Sequence, residues 1–563
     1  MPDQPHDDQT GVRRGAPLAV VVVPAGLGLA DGQRAWSLAG DPAALVAGLE
    51  ESAAPRWTWW EAATTAPILV AGGVRPRACW DVGAVHRLLH GGRRGDAGAA
   101  WAAVRGLPAP PLPARELDLL DLSDTPDDPV APDGQLSREW TGPWAETDPA
   151  RLLGRAQRWA ALLADVQRAQ EQALLALPDP RASPSGVPLA VLTAWAESAA
   201  ALLAVELARD GLPLDRAALT ALLDELVGPA GDEMGARERR DAEVLRHFPA
   251  VCDLRNPAAV RELLRLVGVD VPDTRSWRLE QHRPVPGVAA LLHWRRVERV
   301  ATTYGWSWLD RHVGPDDRLR GEWEAADGGA GRMTASAGLH NLPADLRVAV
   351  AAEPGHVLVR ADLGQVEPRV LAAVSGDAAF AAAARQDDLY SPVAAALGVD
   401  RPTAKVAVLA AMYGQVSGAA GEALRGLDRA YPVAMAYLRA AEASGRDRRD
   451  LRTHGGRRLL LDWDGDPAGR GRYARNAVVQ GAAAELFKAW AATVRAGLRP
   501  LGGTVVLCLH DELLLHVPAP AAEPAAALLR TALDGVASWW APGSGVRFVA
   551  DVSVLTRWSD AKP

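Results

Sequence analysis

Lysine is almost missing from this chain: Lys405, Lys488 and Lys562 are the three lysines among 61 basic residues, and the other 58 are arginine. Cysteine is equally scarce. Cys79, Cys252 and Cys508 form neither a metal-ligand spacing nor an even set, so they imply neither a zinc site nor a disulfide framework and point to a reducing, cytoplasmic compartment. The apolar run after Arg13-Arg14 is interrupted by Pro24 and has no good cleavage site, so it reads as a buried strand rather than a leader. No other stretch approaches a membrane span, and no membrane partner is expected. Tyrosine does not occur before Tyr304, and 20 tryptophans stand against 4 phenylalanines, a bias without a functional account. The formal net charge of −8 excludes a nonspecific cation of the histone type. Its distribution says more than its sum. Acid concentrates between Glu116 and Asp148, whereas Arg439 to Arg475 holds 10 arginines against 6 acids, enough to follow a phosphate backbone.

At about 100–200 residues per domain the length predicts three or four units, and no internal repeat is evident. The Pro-rich run Leu107 to Pro113, the acidic run Asp124 to Gly134 and the run Leu177 to Pro188 punctuate the chain. Blocks at 1–106, 107–188, 189–330 and 331–563 follow. Apolar spacing predicts helices near Pro149 to Ala176, from Leu189 to Leu226, over Arg255 to Val269 and over His293 to Trp306.

Given the arginine excess, a lysine is an unusual choice. Lys405 stands four residues after Arg401 and eight before Tyr413, with Leu409 between. On a helix residues four apart advance only about 40°, so these four share a stripe with two cations, one apolar residue and one phenol. A compact ammonium beside a planar guanidinium suits a triphosphate, whose base would meet the apolar end; the plain alternative is an amphipathic helix with a solvated basic edge. Upstream, the apolar run Val357 to Val359 predicts a strand that delivers Asp362 at its end, with a helix from about Gln365. Downstream, Thr504 to Leu509 and Leu513 to Val517 read as two strands joined by His510, Asp511 and Glu512. A tight hairpin would ordinarily carry Asn-Gly or Asp-Gly there. Adjacent carboxylates repel and desolvate poorly unless a cation sits between them. Asp362 and Asp511 are therefore candidates to hold two Mg²⁺ about 3.5–4 Å apart, the arrangement of in-line phosphoryl displacement.

The three segments, in this order, resemble motifs A, B and C of the family A DNA polymerases, the bacterial DNA polymerase I type. That family's Asp-Tyr-Ser-Gln-Ile-Glu-Leu-Arg stands here as Asp362 to Arg369. Its motif B Arg, Lys and Tyr fall on Arg401, Lys405 and Tyr413, and its His-Asp-Glu on His510, Asp511 and Glu512. GRMTASAGLHNLP is similar to a family segment that places Arg332, His340 and Asn341 near DNA. RYARNAVVQGAAAELFKAW resembles the palm helix whose DNA contacts fall on Arg472, Asn476 and Gln480, and GGRRLLL its preceding strand. The likeness runs from about residue 190 to the end.

It implies an α/β and α+β multidomain fold: an RNase H-like, exonuclease-type N-terminal domain and a right-hand polymerase of palm, fingers and a helical thumb. It implies a monomer that extends primer-template DNA with deoxynucleoside triphosphates and two Mg²⁺, in replication or repair. Asp362 and Asp511 would bind metal with the Leu363 carbonyl, Glu512 would be an accessory carboxylate, and Lys405 would protonate the departing pyrophosphate. The nucleotide would meet Arg401, Lys405, Leu409, Tyr413, Glu367, Gln365 and His510, with Glu367 as the gate against a 2′-hydroxyl and His510 at the primer terminus. Departures are informative. Leu409 replaces an aromatic, which favours ribonucleotide tolerance, while Glu367 argues against it; Leu363 and Gly364 replace Tyr and Ser. Residues 1–200 contain no Asp-x-Glu and no tyrosine, so the exonuclease signatures cannot be assembled. Asp81 reads as a helix cap, and the first domain as a degenerate exonuclease. A retained exonuclease and a noncatalytic DNA-binding relic are the alternatives.

Overall fold

A computed structural model of the chain describes residues 11–112, 128–181, 184, 186–414 and 420–561. The predicted Pro-rich and acidic punctuation falls partly on 113–127, 182, 183 and 185, outside the described residues. Two compact units are formed. The first comprises 1–209, 323–334 and 359–554, the second 210–322, 335–358 and 555–563.

The first unit opens with a five-stranded sheet of β1 (Pro17–Val23), β2 (Gly26–Ala30), β3 (Ala35–Ala39), β4 (Arg56–Trp59) and β5 (Ala78–Asp81), in the order β3-β2-β1-β4-β5. β1, β2 and β3 are antiparallel neighbours, while β4 and β5 run parallel to β1. Alternation along β1 sends Leu18 and Val20 to one core and Ala19 to another, so both faces are covered. The helix Pro149–Leu175 crosses β1 to β3. It approaches so closely that a Cβ on Gly28 would lie 2.1 Å from the Ala156 carbonyl carbon. The shortage of phenylalanine is met by tryptophan: Trp57, Trp59, Trp80, Trp490 and Trp540 are fully buried in this unit. Arg155 stacks on both Trp140 and Trp144.

The predicted helical stretch Leu189 to Leu226 is broken at Gly211 into Leu189–Asp210 and Arg216–Leu226. The first piece packs on the five-stranded sheet through Ala201 and Leu202, so the boundary in the contacts falls at 209/210 and not at 188/189. Leu189–Asp210 also corrects the expectation that no further stretch approaches a membrane span, because it is long and apolar enough to cross one. It is 78% buried over that window. Its two glutamates have protein partners, as a core helix requires. Glu197 meets Lys488 at 2.8 Å and Arg457 at 2.6 Å, and Glu206 meets Arg495 at 2.6 Å. Burial alone would raise the Glu197 pKa, but the two facing cations overcome it and hold it below the usual carboxylate range.

The rest of the first unit carries a four-stranded sheet in the order Thr504–Leu509, Glu512–Pro518, His356–Leu363, Ala550–Leu555. The 32-residue helix Pro467–Leu498 is capped by Asp466, with Pro467 in its first turn. The second unit is helical. Its core joins Val244, Phe248, Val260, Leu263, Leu264, Val288 and Leu291, and Arg255 binds Asp241 and Glu298.

Removing Glu197 would leave Lys488 and Arg457 buried without their shared counter-charge. Glu197→Leu is expected to lower unfolding stability by about 3–5 kcal/mol in urea titrations. A loss below about 1 kcal/mol would contradict this account of the cluster.

Candidate active site

The strand His356–Leu363, interior in the four-stranded sheet, delivers Asp362 near its end, as its apolar run predicts. The backbone then turns sharply: Gln365 has φ 56° before the helix Val366–Ser375 begins. Arg369 fixes that turn. Fully buried, it donates to the carbonyls of Gly364 (3.0 Å), Ala384 (2.8 Å), Gln386 (2.8 Å), Asp387 (2.6 Å) and Arg547 (2.6 Å).

The hairpin departs from expectation in one respect. Glu512 does not sit at the tip but begins the strand Glu512–Pro518, paired with Leu509, so the turn consists of His510 and Asp511. The positive φ that Gly usually supplies is taken by His510 at 47°. The turn is docked to the neighbouring strand by the Leu363 amide, which donates to the Asp511 carbonyl at 2.9 Å. Asp362, Asp511 and Glu512 are thereby gathered at one end of the sheet.

Their electrostatics follow from that crowding. Burial, then the charges of Asp362, Glu512 and Glu367, push Asp511 up to about 6. Asp362 is also raised, by burial and by Glu512 and Asp551, against the pull of Arg360. Arg360, which the sequence reading overlooked, donates through Nε to Glu512 at 2.7 Å and through a terminal nitrogen to Asp362 at 2.7 Å. The signal was available: residues two apart on a strand share a face. Desolvated, mutually repelling oxygen donors with neither thiolate nor imidazole in the set fit a hard divalent cation such as Mg²⁺. Asp362 and Asp511 are the side chains that would hold it, with Glu512 beside them as an accessory carboxylate.

A second group surrounds Glu367. Arg332 forms an ion pair with it, and the Tyr413 hydroxyl donates to its Oε2 at 3.3 Å while also interacting with Gln480. Arg332, Glu367, Tyr413 and Gln480, far apart in the chain, thus meet. Tyr413 ends the helix Arg401–Tyr413, which Asp400 caps by accepting from the Thr403 amide at 2.8 Å. The helix stops at Gly414, whose φ of 67° favours glycine and where a Cβ would crowd the Arg472 side chain at 3.2 Å. On this helix Arg401, Lys405 and Tyr413 are exposed and Leu409 half-buried, as the common stripe predicts. Lys405 has no ion-pair partner among the described residues. Arg401 does: Asp388 accepts from it at 2.8 and 3.0 Å and also from Gln365 at 2.8 Å. Hydrogen bonds from Arg401, Ser391 and Gln365 hold Asp388 well below the usual carboxylate range.

Along the long helix, Arg472 is exposed and 3.7 Å from Asp466, and Asn476 Oδ1 is buried without a hydrogen-bond partner among the described residues. His340 and Asn341 lie in the second unit, where the Tyr304 hydroxyl donates to the Asn341 carbonyl at 2.8 Å. The arginine-rich stretch is corrected in part. Arg457, Arg470 and Arg475 are buried, bound to Glu197, to the Gly465 carbonyl at 2.6 Å and to Glu442 at 3.0 Å, so they are not available to phosphates.

Comparisons with known proteins bear on the family and the fold. The family model described as DNA polymerase family A matches residues 270–560. Thermostable DNA polymerase I of Thermus filiformis is 30% identical over 315 residues, 49% of this chain and 37% of that protein. DNA polymerase I of Chloroflexus aurantiacus is 30% identical over 286 residues, 45% of this chain and 30% of that protein. The chain thus spans about a third of the length of these relatives. Among solved structures, the POL domain of Pol1 from M. smegmatis, in complex with DNA primer-template and dNTP, superposes with a TM-score of 0.67 at 19% identity, covering 98% of this chain and 96% of that one. It has the same fold.

An aspartate whose pKa is raised on folding binds its proton more tightly in the native state. Its ionisation therefore removes stability as pH rises from the ordinary carboxylate range to about 6. In EDTA, Asp511→Asn is expected to raise unfolding free energy at pH 7.5 by on the order of 2 kcal/mol and to flatten its pH dependence between about 4 and 6. Lower stability of the variant at pH 7.5 would contradict the electrostatic account.

Proposed function

The chain belongs to DNA polymerase family A, and on that premise we propose that it adds deoxynucleoside triphosphates to the 3′ end of a primer on a DNA template. The observation that carries this reading is the gathering of Asp362, Asp511 and Glu512 at the end of one sheet, with the Asp511 pKa pushed up to about 6. Asp362 and Asp511 would hold Mg²⁺ there, which would supply the charge neutralisation that attacking and leaving oxygens need in an in-line displacement. The exposed Lys405 ammonium and Arg401 take the triphosphate, and Lys405 protonates the departing pyrophosphate. To bind it, Arg401 exchanges Asp388 for phosphate. Glu367, braced by Arg332 and Tyr413, fills the space a 2′-hydroxyl would need. Arg472, Asn476 and Gln480 meet the duplex. His510 stands at the primer end, His340 and Asn341 lie near the DNA, and the helices of the second unit act as the thumb.

The first sheet is read as a degenerate RNase H-like exonuclease domain. β1 offers no carboxylate, and Asp81 is occupied in accepting from the Ala62 and Ala84 amides at 2.5 and 2.7 Å, the capping role its sequence context predicts. The reducing, cytoplasmic setting expected from the scarcity of cysteine is part of the same proposal.

A labelled primer-template incubated with Mg²⁺ and dNTPs, rNTPs or no nucleotide tests the proposal. Growth is expected with dNTPs, discrimination against rNTPs by at least about 100-fold, and no shortening without nucleotide. Glu367→Ala should relax that discrimination roughly tenfold or more. Tight DNA binding without growth would favour the noncatalytic relic, equal growth with rNTPs would mean that Leu409 has opened the gate, and primer shortening would restore an active exonuclease.

A further inference from the structure

The strand that carries Asp362 also carries a cation aimed at it. Arg360 Nε lies 2.7 Å from Glu512 Oε1 and its terminal nitrogen 2.7 Å from Asp362 Oδ2. The side chain is 12% exposed, and Asp551 on the other flanking strand adds a third negative charge within its field. One planar fork therefore ties carboxylates of two adjacent strands, at distances typical of charge-assisted hydrogen bonds. Such a bond uses the lone pairs that a metal ion would need, and its charge repels that ion. The arrangement is also held in place, because Glu512 is itself buried and Leu363 pins the adjoining turn through the Asp511 carbonyl.

We propose that Arg360 is a positioning residue that serves as an internal counter-ion: it occupies Asp362 and Glu512 in the metal-free site, and a divalent cation must displace it from Asp362 to bind. The inference rests on the reading of Asp362 and Asp511 as metal ligands. Its chemistry has a direction. A free divalent cation meets a site already partly neutralised and binds weakly. A cation arriving with a nucleoside triphosphate brings negative charge that compensates Arg360, which can swing off Asp362 while its Nε stays on Glu512. Metal and nucleotide are thereby coupled, and the carboxylates remain paired between turnovers instead of repelling each other.

Mn²⁺ binding to the full chain without nucleotide, followed by electron paramagnetic resonance, separates this role from a purely structural one. Arg360→Gln is expected to bind Mn²⁺ roughly tenfold more tightly than the wild type, because a like charge has left the site. Arg360→Lys, which keeps the charge, should bind as the wild type does. Arg360→Ser carries the same expectation as Arg360→Gln and replaces it should the glutamine variant fail to fold. Binding that is unchanged or weaker in the neutral variants would overturn the proposal, since Arg360 would then be inert or would be organising the ligands for the metal. Asp511→Asn in the same titration reports on the underlying assignment: it should bind Mn²⁺ still more weakly than the wild type. Wild-type binding by that variant would refute the metal-ligand reading itself, whatever the Arg360 variants do.

Discussion

Carboxylates crowded together out of water repel one another, and each loses hydration that no neutral neighbour replaces. Asp362, Asp511 and Glu512 are held in that condition by backbone they cannot escape: the Leu363 amide bonds the turn that carries Asp511, and Glu512 is paired into the central sheet. The high Asp511 pKa is the direct consequence. A site of this kind stores unfavourable charge that only a cation can relieve. Arg360 relieves part of it from within the chain, and the remainder is what a bound metal ion would relieve under the proposed function.

Much of the surrounding structure keeps that crowding in register. Arg369 gathers five carbonyls from separate segments around the turn after Asp362, something a lysine could not do with one ammonium. The preference for arginine has a similar basis elsewhere: Arg181, Arg470 and Arg495 each bind more than one backbone or side-chain oxygen. Lys488, by contrast, meets a single carboxylate in a fully buried pair. Lys405 remains exposed on the stripe with Arg401 and Tyr413, where a mobile point charge is useful.

The parts of the site that were legible in the sequence are those set by local rules. An apolar run foretold the strand ending near Asp362, two β-rich runs foretold the hairpin, and the spacing of Arg401, Lys405, Leu409 and Tyr413 foretold a common helical face. Asp81 as a cap followed from its position before a helical pattern. What escaped depends on pairing across long separations. Arg457 and Arg475 looked like part of a phosphate-tracking stretch, but their partners Glu197 and Glu442 are revealed by the packing of distant helices. The helix Leu189–Asp210 carries a helical pattern equally suited to either unit, and its contacts with the first sheet decided the matter. Glu512, polar between two apolar runs, reads as part of the hairpin tip, but it pairs with Leu509 and leaves a two-residue turn whose positive φ falls on His510.

The central claim is that these carboxylates drive chemistry and are dispensable for holding DNA. Primer extension and primer-template affinity measured side by side for the wild type and Asp511→Ala test it most directly. The account predicts a loss of extension of at least about 1000-fold with DNA affinity within about threefold of the wild type. Extension by Asp511→Ala at a rate comparable to the wild type would contradict it.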